Sequence, residues 1–301
     1  QETLISTLPA ATYPCFSTPA ELGHAAYDAG WRVFALSNNH SYDMGARGID
    51  ATAEFWQSMP DDAINYGFYK NKQDSSDIPV QEVNGLKIAY VAFTEHTNGI
   101  PTPANASATV IYTSEREAME AKVRAAREMA DVVVVSVHWG VEDSHNIVQA
   151  QRDLAASFAA WGADVILGTH PHVVQDLEWI ESAEDGRKVL VAYSLGNFLS
   201  AQSQPDQLIG LILTFELVKV IDPDGTEHPL EITDVAVYPT VTQYEYYGGQ
   251  YYSDPRTYLF RDYTDDMAAV HPARGKNGAF GRGYIQGVLE QYIDPQFLVL
   301  D

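Results

Sequence analysis

Four short polar clusters close four runs of apolar residues. They are Ser37-Asn38-Asn39-His40 after WRVFAL, His138-Trp139-Gly140 after DVVVVSV, Gly168-Thr169-His170-Pro171-His172 after DVIL, and Ser194-Leu195-Gly196-Asn197-Phe198 after KVLVAY. Neutral imidazole nitrogens and amide oxygens are ligands for Zn, Mn, Fe or Ni, and a His-x-His pair after a strand can straddle two ions, or one ion and a substrate. Alone, His170 and His172 read equally well as hydrogen-bonded turn residues. Two further strand ends carrying histidine favour ligation, because the chain's nine histidines, scattered at random, would rarely place four this way. Asn38 and Asn39 also have a structural reading, since asparagine after a strand caps helices and makes turns. Asp43, three positions beyond His40, adds a chemical one: a carboxylate at that reach fixes an imidazole's tautomer, as an acid catalyst requires.

The elements that must position these residues alternate. TPAELGHAAYDAG, residues 18–30, predicts a helix capped by Thr18, with Pro19 in its first turn and Gly30 as its stop. GIDATAEFWQSM predicts a second, and TSEREAMEAKVRAAREMA, residues 113–130, a third whose Ser114 and Glu117 form a capping box. VQAQRDLAASFAAWGA predicts a fourth. Strands are expected in WRVFALS, around AINYGFY, in GLKIAYVAF (85–93), DVVVVSVHWG, DVILGTH and KVLVAYSLGNF. This β-α-β-α-β order with short apolar strands argues for a layered α/β fold with buried sheets, in which the carboxyl ends of the strands form the ligand crevice. The four clusters are expected to meet there. After about residue 205 the strands lengthen: LIGLILTFELVKV and LEITDVAVYPTV, joined by DPDGTEH, predict an antiparallel pair on the edge of the core. The tyrosines crowded between 244 and 263 suggest a sugar-stacking face or half-buried strands, and the β preference of tyrosine favours the strands. GYIQGVLEQYI predicts a closing helix.

Bulk properties narrow the function. The 301 residues carry 18 Lys and Arg against 41 Asp and Glu, a net charge of −23, which repels nucleic acid and anionic lipid surfaces. An anionic substrate would need that field locally reversed, and a bound divalent cation is the simplest device. Cys15 is the only cysteine, so neither an intrachain disulfide nor a cysteine-based zinc site is available. No apolar run reaches the roughly 18 residues of a membrane helix, and no signal peptide is visible. The chain starts at Gln1 without Met, so a signal, lipid anchor or first strand is expected upstream of it.

Taken together, SNNHSYDMG, VHWGVE, GTHPH and YSLGNF, in this order, resemble the motif set of the CapA-type capsule (poly-γ-glutamate) biosynthesis proteins, members of the calcineurin-like metallophosphoesterase superfamily. The resemblance runs from the first residues to about Phe198. It implies a four-layer α-β-β-α sandwich over residues 1–243, with the Tyr-rich 244–301 as a C-terminal extension packed on the same domain. It implies a dinuclear site of Mn, Fe or Zn in which Asn39, His138 and His170 serve one metal and His172 its neighbour. His40 then stands near the leaving group with Asp43 behind it. QETLIST resembles the family's N-x-E-T segment, which makes Glu2 a further metal carboxylate. The family's opening strand, with its Gly-Asp ligand, is expected before residue 1. Trp139 and the YPCF stretch (13–16) are candidates for pocket walls, with apolar packing as the plainer role. Glu142 is either a support to the ligands or a solvated loop residue, and Asn197 either reaches the site or holds a turn. His24, His96, His145, His228 and His271 have no such context and read as surface or satisfied residues.

The implied chemistry is phosphoester hydrolysis by a metal-activated water, on an anionic phosphoester or polymer at a bacterial cell surface, with other capsule-synthesis proteins as companions and no nucleic acid. The alternative is a non-catalytic surface protein that keeps the fold and handles an anionic polymer.

Overall fold

A computed structural model describes residues 4–247, 251–277 and 280–301. In chain order the elements are β1 (Ile5–Ser6), β2 (Thr18–Pro19), α1 (Ala20–Asp28), β3 (Val33–Ala35), α2 (Gly45–Gln57), β4 (Ile64–Tyr66), β5 (Val80–Val83), β6 (Leu86–Thr94), α3 (Arg116–Met129), β7 (Val132–His138), α4 (Gln149–Trp161), β8 (Val165–Thr169), β9 (Val174–Glu181), β10 (Lys188–Leu195), β11 (Ile209–Val218), β12 (Glu231–Tyr247), β13 (Tyr251–Leu259), α5 (Asp265–Val270), α6 (Arg274–Asn277) and α7 (Arg282–Tyr292). The fold is mixed α/β. Its largest sheet has the order β5-β6-β7-β8-β10-β9, beside a three-stranded sheet β11-β12-β13 and two short parallel pairs, β1-β2 and β3-β4. The chain divides into two compact units, the first comprising 1–139, 153–166 and 180–189, the second 140–152, 167–179 and 190–301.

In the first unit, β6 and β7 pair in parallel from Ile88 opposite Val132 to Thr94 opposite His138. Six residues of β7 are buried, as a strand covered on both faces demands. The amphipathic α3 buries Ala118, Met119, Val123 and Ala126. Its start differs from the capping-box expectation: the helix begins at Arg116 after Glu115, with no side-chain cap. The Glu115 carboxylate instead accepts the Tyr112 amide and the Lys72 ammonium, an ion pair formed in place of a local cap. α1 likewise starts after Pro19 without a side-chain cap, because Thr18 is drawn into the β1-β2 ladder opposite Ile5. A second core forms where Ile5, Phe34, Leu36, Phe55 and Trp56 meet, with Phe34 and Trp56 rings 4.2 Å apart.

Asp164 ties this unit together. Its carboxylate, with a side chain only 6% exposed, takes Arg127 at 2.7 Å on one oxygen and Arg187 at 2.7 Å on the other, and also accepts the amide of Val133. Three donors satisfy a buried charge that would otherwise be costly.

The second unit is built on β11, β12 and β13. Ile209 lies opposite Val241 and Leu211 opposite Pro239, while Val241 also faces Tyr258 across the other ladder. The expected antiparallel pair therefore exists, but as part of a three-stranded sheet that supplies core rather than edge. Leu211, Val237, Val241 and Tyr244 pack there with Ile285 and Leu289 of α7. The tyrosine-rich segment contributes β13 and buried Tyr244 and Tyr263, in keeping with the strand reading. His271 is a satisfied core residue: its Nε2–H donates to the Thr242 carbonyl at 3.1 Å and its Nδ1 accepts the Ala273 amide at 3.0 Å. The ring lies between Tyr244 and Phe280, and burial holds its pKa below the ordinary histidine value.

Two outcomes are expected. Asp164→Ala strands two partly buried guanidinium groups and should cost about 3–5 kcal/mol in urea unfolding. His271 is neutral in the fold and takes up a proton more readily once unfolded, so stability is fully present above about pH 6.5 and falls on acidification below it. His271→Gln, which removes the titrating group, should flatten that part of a melting-temperature profile taken on either side of about pH 6.5.

Candidate functional site

The first unit gathers Asn39, His40, Asp43 and His138. The chain leaves β3 into a turn fixed by Asn38, whose Oδ1 accepts the His40 amide at 2.8 Å and whose Nδ2 donates to the Leu36 carbonyl at 2.9 Å. Asn38 is thus the structural asparagine of the pair. Ser41 Oγ closes the turn by accepting the Asn38 amide at 3.0 Å and donating to the Asn38 carbonyl at 2.8 Å. Rigid on both sides, the turn presents Asn39 and His40 in succession.

Asn39 Oδ1 lies 3.1 Å from Nε2 of His138, with both residues no more than 3% exposed. His138 is placed by β7, whose last residue it is, and its carbonyl accepts the Glu95 amide where β6 turns away. His40 Nδ1 meets Asp43 Oδ2 at 2.7 Å, and that same oxygen accepts the Phe16 amide at 2.6 Å. The Asp43 side chain is 1% exposed. A carboxylate held by two donors fixes the imidazole with Nδ1 protonated, leaving Nε2 as the atom that exchanges protons with a substrate. Phe16, the last residue of the YPCF stretch, crosses the His40 ring edge-on at a centroid separation of 4.7 Å.

Sequence reasoning missed Asn98. Its Oδ1 accepts Nδ2 of Asn39 at 3.3 Å, and its Nδ2 stands 3.5 Å from Nδ1 of His40. It sits in the turn that follows β6, with a left-handed φ of 51°. The Asn-Gly pair at 98–99 signals that turn in the sequence and nothing more.

The second unit holds His170, His172 and Asn197. The two histidines follow β8 with φ of 99° and 60°, a left-handed region that a β-substituted residue enters at a cost and that clusters at functional positions. Their ring centroids are 6.3 Å apart. Asn197 Nδ2 donates to Gln202 Oε1 at 2.7 Å and to the Gln207 carbonyl at 2.9 Å, so its Oδ1, 3.1 Å from His172 Nδ1, must accept. His172 therefore carries its proton on Nδ1 and, when neutral, its lone pair on Nε2, the arrangement in which one nitrogen is anchored and the other ligates. Asn197 thus reaches the cluster and also holds the turn. In the same unit, His145 meets Asp206 at 3.3 Å, and Tyr284 donates to the same carboxylate; the His145 bond draws the Asp206 pKa below its usual value.

Trp139 is buried, in keeping with the packing role, and Glu142 lies exposed on a loop. Glu2 falls outside the described residues. Among the described residues, no group of three or more His, Cys, Asp or Glu side chains is gathered to hold a cation. The donor chemistry nonetheless suits one. The Asn39–His138 separation is about that of two neighbouring donors lying roughly 2.1 Å from a single ion at right angles.

The family model for bacterial capsule synthesis protein PGA_cap matches residues 1–202. The chain is 32% identical over 193 residues to the capsule biosynthesis protein CapA of Bacillus anthracis, covering 62% of this chain and 44% of that one. It is 29% identical over 211 residues to the PGA biosynthesis protein CapA of Bacillus subtilis (strain 168), covering 70% and 52%. The chain therefore spans about half the length of the curated relatives it matches. A hypothetical protein from Thermus thermophilus aligns with a TM-score of 0.43 at 17% identity over 73% of this chain and 81% of its own. With two thirds of its length matched by the family model, this chain belongs to the bacterial capsule synthesis protein PGA_cap family, within the metallophosphoesterase superfamily.

Proposed function

We propose that this chain serves the synthesis of a poly-γ-glutamate capsule at a bacterial cell surface, as a metal-dependent phosphoester hydrolase. The observation that carries the reading is the joined pair of contacts at Asn39-His40: an amide oxygen facing His138 and, on the adjacent residue, an imidazole buttressed by Asp43. Adjacent residues in the chain thus supply a cation donor and a proton donor. The proposed ligands are Asn39, His138, His170 and His172, with Glu2 as carboxylate, for about two ions of Mn, Fe or Zn. Bound there, divalent ions would acidify a water and offset charge on the phosphoryl oxygens.

The chain's own residues supply the rest. His40, with its Nδ1–H committed to Asp43, presents Nε2 to protonate the departing oxygen. Asp43, its side chain 1% exposed and held by the Phe16 amide, keeps the ring from turning over. Asn197 anchors Nδ1 of His172, which makes Nε2 the nitrogen proposed to ligate. The net charge of −23 supports the cation requirement, since without one the chain repels the anionic substrate it is proposed to use.

Elemental mass spectrometry on purified protein tests the centre first. About two transition-metal ions per chain are expected, reduced in Asn39→Ala and His138→Ala and again in the double variant His170→Ala with His172→Ala. Absence of metal from the wild type and the variants alike would sink the hydrolase reading and leave a polymer-handling protein. His40→Asn should retain metal while slowing hydrolysis of a generic aryl phosphodiester by about 10²–10⁴-fold, and Asp43→Asn should show a smaller loss of the same kind, read as kcat rather than KM. Equal rates in the wild type and His40→Asn would remove His40 from the chemistry.

A further inference from the structure

The geometry points to Asn98 as a positioning residue that selects which face of the Asn39 amide is offered to a cation. The inference rests on the proposed role of Asn39 as a ligand, and extends it to a residue outside that set.

An asparagine is a ligand through its oxygen only, yet its amide can rotate half a turn and exchange oxygen for NH₂ at little steric cost. Something must break that symmetry. Here Asn98 Oδ1 accepts from Asn39 Nδ2 at 3.3 Å, while Asn39 Oδ1 is the atom facing His138 Nε2 at 3.1 Å. Turning the Asn39 amide over would set its NH₂ against His138 and its oxygen against the Asn98 oxygen, two acceptors face to face beside a buried side chain. Reversing the Asn98 amide alone would set its NH₂ against the NH₂ of Asn39, so the two amides hold one another in register.

The other end of Asn98 makes no competing demand. Its Nδ2 is 3.5 Å from His40 Nδ1, whereas Asp43 Oδ2 is 2.7 Å from the same nitrogen. The ring proton on Nδ1 belongs to the nearer carboxylate, and the amide contact is a passing one. Asn98 is held in place by contacts that do not involve its own side chain. Its amide donates to His96 Nδ1 at 3.3 Å, and next to it Thr97 Oγ1 donates to the Ile100 carbonyl at 2.7 Å. The turn leaves β6 at Thr94, the residue registered opposite His138, so the sheet itself sets Asn98 beside its target.

The left-handed φ of 51° makes the substitution clean to design. Asn98→Gly keeps the backbone conformation and deletes only the amide, whereas Asn98→Asp keeps an acceptor for Asn39 Nδ2. Mn²⁺ affinity measured by chelator competition, with melting temperature alongside, reads the role without any need for turnover. Asn98→Gly should weaken Mn²⁺ binding by about 10–100-fold, the usual cost of losing a partner behind a ligand, at an unchanged melting temperature, and Asn98→Asp should restore binding. Equal affinity in Asn98→Gly and wild type overturns this assignment alone. So does weakened binding in both variants with lowered melting temperatures, which would mean that Asn98 merely holds the turn. A wild type that binds no Mn²⁺ overturns the metal reading and this inference with it, and Asn39→Ala, expected to bind less than Asn98→Gly, separates ligand from support.

Discussion

A buried amide and a buried imidazole, Asn39 and His138, face each other across 3.1 Å, and much of the first unit is what holds them there. Neither group can be left in an apolar interior without a partner, and neither sits on a flexible tail. β7 is committed to its register by six buried residues and by pairing with β6 as far as Thr94 and His138. The turn after β3 is committed by Asn38 and Ser41. Shifting β7 along its ladder by one residue would carry His138 out of register with Thr94 and away from Asn39, so the pairing of the strand and the placement of the donor are the same fact.

Two carboxylates of this unit are held in the same way. Asp164 has two arginines and a backbone amide; Asp43 has an imidazole and a backbone amide. The difference lies in the partner. Around Asp164 every partner is permanently cationic or a peptide group, and the cluster is inert. Beside Asp43 the partner is an imidazole, whose ring proton is exchangeable, and it is this cluster that the proposed chemistry uses. Asp43 Oδ1 has no hydrogen-bond partner among the described residues, so the carboxylate keeps its charge directed at His40 through one oxygen.

Much of this is legible in the sequence, for identifiable reasons. The strands that end in DVVVVSVH and DVILGT are short, continuous apolar runs bounded by turn residues, and their ends are readable to within about two residues. Asp43 is readable because its offset from His40 places both in one turn. β9 is not, since HVVQDLEWIE follows the His-x-His motif without a turn signal to announce a new strand. The expected caps at Thr18 and Ser114 do not form because tertiary partners, a strand ladder and a lysine, engage the residues around each helix start. Asn98 is invisible for a different reason. Its spacing from Asn39 is set by the sheet, and an Asn-Gly turn looks the same whether or not its side chain has something to hold.

That invisibility follows from how a pattern of ligands, such as the one proposed, is written along a chain. A donor that touches a cation must be of one chemical type, so histidine and asparagine after a strand stand out from the composition. A residue that only orients a donor needs a single acceptor at the right place, and many residues can supply one. What distinguishes Asn98 is geometric: it accepts from one asparagine while its own backbone is pinned by His96 and the neighbouring Thr97 turn. Asn197 supports His172 more firmly, since it is itself fixed by Gln202 and the Gln207 carbonyl. In each unit, then, an asparagine outside the proposed ligand set bonds a symmetric or two-tautomer side chain and favours one of its two directions.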